Sequence, residues 1–103
     1  MTISPWETAK PDLVADVRLY LSEEGGKSAA AVRGYGCPLF TTKDTSLGGW
    51  DARMQLGDEP FPPGTERRVG FVFLTQEGSQ KVKIAGRFYL WDGGFVGEGT
   101  VVT

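Results

Sequence analysis

The stretch that most restricts the fold is the C-terminal run Lys81–Thr103. Val82, Ile84, Phe88 and Leu90 share one parity, with Gly86 among them; Lys81, Lys83, Arg87, Tyr89 and Trp91 share the other. Residues two apart lie on the same face of a strand. The run Lys81–Trp91 therefore predicts one long strand with an apolar side and a basic-aromatic side. Asp92-Gly93-Gly94 predicts a tight hairpin, since its central positions need positive φ, which glycine adopts freely. Gly97 and Gly99 then share a face of the return strand, where a missing side chain lets a ring or a backbone come close. This is the chemistry of a barrel.

Upstream, residues 1–11 contain Pro5 and Pro11 and show no period; they predict a tail that pins Trp6 to the body, leaving one domain over 12–103. Asp12–Ser22 alternates, with Leu13, Ala15, Val17, Leu19 and Leu21 facing in and Asp16, Arg18, Tyr20 and Ser22 facing out. Glu23–Ser28 predicts a turn, and Ala29–Arg33 a short extended run. Leu39–Thr42 and Trp50–Leu56 predict two more strands. Arg67–Thr75 is apolar on both parities, as in a strand covered on both sides. No segment shows a sustained helical period, so an all-β domain of six or seven strands follows. Its predicted core holds Leu13, Val17, Leu19, Val69, Phe71, Phe73, Val82, Ile84, Phe88 and Leu90.

The chain of 103 residues can bury a single core without a metal or a disulfide. It has one cysteine, Cys37, and no histidine. Disulfides, multi-cysteine zinc sites and imidazole-dependent catalysis are thereby excluded, and neither catalytic nor metal residues nor a cofactor are expected. Gly25-Gly26-Lys27-Ser28 resembles the end of a phosphate-binding loop. That loop needs a further glycine where Leu21 stands and a helix after it, so no GTP binding is expected. There is no membrane-length apolar run and no leader pattern, which predicts a cytoplasmic protein with no membrane partner. The net charge of -2 offers no general attraction to nucleic acid. The charge is uneven, however: residues 1–59 balance to -3 and residues 60–90 to +3, a local basic face.

Several ordered landmarks resemble the C-terminal (third) domain of bacterial elongation factor Tu. Glu23-Glu24-Gly25-Gly26-Lys27-Ser28 is similar to that family's Glu-Glu-Gly-Gly-Arg-His-Thr turn. Gly34-Tyr35 stands where the family has Gly-Tyr-Arg-Pro-Gln-Phe, and Pro63-Gly64 matches its Met-Pro-Gly turn. Arg87-Phe88, Asp92-Gly93-Gly94 and Val96-Gly97-Glu98-Gly99-Thr100-Val101-Val102 resemble its closing hairpin. The resemblance covers residues 12–103 and implies a closed antiparallel six-stranded β-barrel. In the family this barrel contacts the T-stem of aminoacyl-tRNA and other proteins. Carried over by position, the tRNA-contacting sites fall on Lys27, Ser28, Asp92 and Gly93. The chain departs from the family by placing Lys27 for arginine and Ser28 for histidine. It also has Gly36-Cys37-Pro38 for Arg-Pro-Gln, and only Phe95 in place of an Arg-Thr pair. The planar fork that grips phosphate is lost.

These features predict a non-enzymatic, stand-alone binding module: an adaptor, decoy or immunity protein linked to translation. Its contact ridge would be Lys83, Arg87, Tyr89 and Trp91 on one outer strand face. Alternatively, Tyr89 and Trp91 cover the barrel's side beneath the tail, against Trp6. A protein partner is preferred, because few cations cluster; an RNA partner in translation is the alternative.

Overall fold

The computed structural model describes residues 5–103. Six strands, β1 (Leu13–Leu19), β2 (Gly36–Phe40), β3 (Trp50–Met54), β4 (Glu66–Phe73), β5 (Arg87–Trp91) and β6 (Phe95–Val101), close a barrel in the order β1-β4-β3-β2-β5-β6. Every neighbouring pair is antiparallel, with β6 returning to β1. Closure leaves no sheet edge open for pairing.

The period-2 pattern accounts for this directly. Leu13, Ala15, Val17 and Leu19 are buried along β1, as are Val69, Phe71 and Phe73 on β4 and Phe88 and Leu90 on β5. A six-stranded barrel has a narrow interior, and a ring enters it only where another position is empty. Phe88 pairs directly with Gly99, and a Cβ at Gly99 would overlap the Phe88 ring. Phe88 then meets Phe71 edge to face at a centroid distance of 5.3 Å. Phe61, outside any strand, is also buried, bridged to Ala31 by paired backbone hydrogen bonds.

The long strand expected over Lys81–Trp91 is corrected. Gln76–Ala85 is a ten-residue helix, α2, and only Arg87–Trp91 is strand. Thr75 caps the helix by accepting a hydrogen bond from the Gly78 N–H at 3.1 Å. Gly86, at φ +78°, ends it by donating its N–H to the Val82 carbonyl. Both ends therefore carry the residue types that stop a helix from fraying. Gly78, Ser79 and Val82 face the barrel across β3, β4 and β5. Two residues apart on a helix means roughly opposite faces, not one face. Val82 is thus fully buried while Ile84 is 85% exposed, which removes Ile84 from the predicted core.

Smaller differences follow from where ladders end. Leu21 is exposed because β1 stops at Leu19, ahead of a 3-10 turn over Ser22–Glu24. Ala29–Arg33 contributes the single Ala31 bridge and no strand. The strand expected over Leu39–Thr42 lies upstream, at Gly36–Phe40. The outer side of β4 is not fully covered: Val72 is half-buried and Leu74 is 78% exposed.

A short helix, α1 (Pro5–Thr8), precedes β1 and buries no residue of its own. Within the expected tail, Trp6 is tied to the body as predicted. The Gln55 side chain donates to the carbonyls of Trp6 at 2.8 Å and Ala9 at 2.7 Å. Trp6 lies beside Arg53 of β3, so Tyr89 and Trp91 do not pack beneath it.

Candidate functional site

On the outer surface of β2, β5 and β6 the register places aromatic residues side by side. Phe40 pairs with Tyr89, and Trp91 with Phe95. The Phe95 ring touches three others edge-on: Trp91 at 5.1 Å, Phe40 at 5.7 Å and Tyr89 at 6.0 Å between centroids. A register shift between Leu90 and Trp91 turns Trp91 toward Phe95, the usual effect of a bulge on side-chain aim. Phe40 is buried at the centre, whereas Tyr89, Trp91 and Phe95 stay half-exposed.

A polar border adjoins this cluster. Lys43 Nζ lies 5.2 Å from the Tyr89 ring centre and 5.9 Å from that of Tyr20. Such spacing is within the range of cation–π attraction. Tyr20 donates its hydroxyl to Glu98 Oε1 at 2.8 Å, and Arg18 pairs with the same oxygen at 3.2 Å. Burial, reinforced by the Glu98 acceptor, pushes the Tyr20 hydroxyl up to about 12. It therefore remains a proton donor at neutral pH.

The ridge expected from the alternation is only partly assembled. Tyr89 and Trp91 share the outer face, joined through Phe95. Arg87 is exposed at the start of β5, opposite Thr100. Lys83 belongs to α2, not to β5, so it is removed from the ridge.

Of the four positions carried over by resemblance, Lys27 and Asp92 meet. Lys27 Nζ is 3.3 Å from Asp92 Oδ2, and Tyr35 donates its hydroxyl to that oxygen at 3.0 Å. Lys27 also sits 4.3 Å over the Tyr35 ring. Gly93 takes φ +72° at the tip of the hairpin, and Ser28 is exposed. Neither of those two joins the Lys27–Asp92 contact. Beneath Tyr35, burial pushes the Cys37 thiol up to about 12. Burial also raises the Tyr35 hydroxyl, next to Cys37 and Asp92. The thiol stays protonated at neutral pH and supplies no thiolate nucleophile.

Three participants escaped the sequence reading: Phe40, Phe95 and Lys43. Phe95 had a local signal, since the residue closing a short hairpin faces the one that opens it. Phe40 and Lys43 join through the β2–β5 register, which lies between segments far apart in the chain. Among the described residues, no group of three or more Cys, Asp or Glu side chains could hold a metal ion, and no helix is long and apolar enough to cross a membrane. No family model matches the chain, and no curated protein matches it.

Proposed function

We propose that this chain is a non-enzymatic protein-interaction module whose working face is the outer aromatic cluster of β2, β5 and β6. The observation that carries the reading is the half-exposed group Tyr89, Trp91 and Phe95, packed on a buried Phe40 outside the barrel core. Aromatics held rigid by their neighbours lose little entropy on binding, and such residues anchor protein interfaces. The resemblance to the third domain of elongation factor Tu supports a partner from the translation apparatus, with this chain as adaptor, decoy or immunity protein. It also supports a cytoplasmic setting.

RNA is the second reading, favoured by Lys43 beside Tyr89, where a base could stack and a phosphate be neutralised. Without Lys83 the face keeps Lys43 and Arg87, and Arg18 already paired with Glu98, too few cations for strong phosphate binding. The protein reading therefore leads.

The test is crosslinking of the full chain to its partner, followed by binding of that partner to Trp91→Ala and Tyr89→Ala at rising salt. A protein partner is expected to lose at least tenfold in affinity with Trp91→Ala and to respond weakly to salt. Steep salt dependence would replace it with the RNA reading. Parent-like binding by both folded variants would rule out this face.

A further inference from the structure

Away from the aromatic cluster, the outer surface carries a concavity on the far side of β2, over β2, β3 and β4. It is a groove of about 490 Å³, within the usual range for a binding site. Its floor crosses the register Gly36–Arg53–Val72, where the missing side chain of Gly36 lets the Arg53 stem lie close against β2. Trp6 stands at one rim and Leu74, 78% exposed, lines another part.

The charges in this groove are not neutralised from within. Arg53 donates to the Gly34 carbonyl at 3.1 Å and lies 5.7 Å from the Trp6 ring centre. Asp51 lies two residues away on the same outer face. Neither takes part in any of the ion pairs among the described residues.

The wall formed by Trp6 is held by polar tethers instead of core burial. Gln55 fixes the Trp6 and Ala9 carbonyls, and Arg33 pairs at 3.2 Å with Glu7, whose side chain is 4% exposed. Since α1 buries no apolar residue, fixing it contributes little to the core. What the tethers do achieve is to hold an indole beside a guanidinium at the rim of a groove. Trp and Arg are both enriched among the anchors of interfaces.

We propose that this groove docks an extended peptide segment of a partner protein. The segment sets an acidic side chain against Arg53, a basic one against Asp51, and an apolar one between Trp6 and Leu74. Same-face side chains on a strand repeat every ~6.6–6.8 Å, and an extended peptide lying along β3 has the same repeat. The unpaired Asp51 and Arg53 therefore select a ligand with opposite charges two residues apart, in complementary order. The barrel is closed, so recognition runs through side chains and not through an added strand. This site is independent of the aromatic face proposed above.

The test is panning of phage-displayed random dodecapeptides against the immobilised full chain, followed by synthesis of the enriched sequences. Those sequences are expected to hold an acidic and a basic residue two apart, next to an apolar one. Their affinity is expected to fall at least tenfold in Arg53→Gln and in Leu74→Ala, both surface changes, and to stay unchanged in Trp91→Ala. Asp51→Lys is expected to turn the selected peptides toward two acidic residues. Absence of enrichment would overturn the proposal. So would peptides indifferent to Arg53→Gln and Leu74→Ala. Peptides weakened by Trp91→Ala alone would overturn it as well, while leaving the aromatic face standing.

Discussion

Lys27 and Asp92, 65 residues apart in the chain, meet at 3.3 Å and tie the turn after β1 to the β5–β6 hairpin. The Tyr35 hydroxyl donates to the same carboxylate oxygen, so Asp92 satisfies two groups at once. Asp92→Ala is expected to destabilise the protein by about 1–2 kcal/mol, because the half-buried tyrosine hydroxyl loses its acceptor. Lys27→Met keeps the apolar stem over the Tyr35 ring and removes the ammonium, with its partly exposed ion pair and its cation–π contact; the expected loss is ~1 kcal/mol or less. Urea unfolding of the two variants checks the order. Equal losses would place the stabilisation in the ion pair itself.

The contact of Phe88 with Gly99 is a packing constraint that admits no side chain. Gly99→Ala is expected to cost about 1–3 kcal/mol, the range for an overpacked core. Phe88→Leu, by opening space, is expected to recover part of that loss in the double variant. A double-mutant cycle reads the coupling, and strictly additive losses would show that the added methyl is accommodated elsewhere.

Helix α2 yields a paired prediction. Val82→Ala empties a fully buried site and is expected to cost about 2 kcal/mol. Ile84→Ala, at a position 85% exposed, is expected to stay within about 0.5 kcal/mol of the parent. A strand over 81–91 would make the two losses alike. Thr75→Ala adds a third reading, an expected loss of about 1 kcal/mol from the missing cap. Thermal unfolding followed by circular dichroism distinguishes the cases.

The legible part of the fold is the part where two faces meet different surroundings. Leu13–Leu19 alternates because one side of β1 is core and the other is solvent, and Gly99 marked a ring's approach before any ring could be placed. Helix α2 was hidden because Val82 shares strand parity with Phe88 and Leu90. The contrary signals were Thr75 three residues before Gly78 and Gly86 at the far end, both of them caps. A ten-residue helix gains little from its own sequence, so docking on the barrel decides its state. At the site, resemblance marked Lys27 and Asp92 separately, but their contact depends on the paths of distant loops. Phe40 beside Tyr89 likewise depends on the β2–β5 register, which no local pattern encodes.

Burial pushes the Cys37 thiol up to about 12, above the ordinary cysteine value of about 8.5 in an unfolded chain. Tyr20 and Tyr35 are shifted in the same direction. Between these limits the unfolded chain has released protons that the folded chain still holds. Folding stability is therefore complete below about pH 8 and falls as pH rises toward 12. Cys37 alone accounts for one proton of this slope, about 1.4 kcal/mol per pH unit. Cys37→Ala leaves the two tyrosines in place, so it is expected to flatten the decline by that one proton without abolishing it. Urea titrations of parent and variant between pH 8 and 10.5 provide the comparison. In parallel, the native thiol is expected to resist iodoacetamide at pH 8 and to react once urea unfolds the chain. Rapid alkylation of the folded protein, or identical slopes for parent and variant, would mean that the Cys37 thiol is not held protonated by burial.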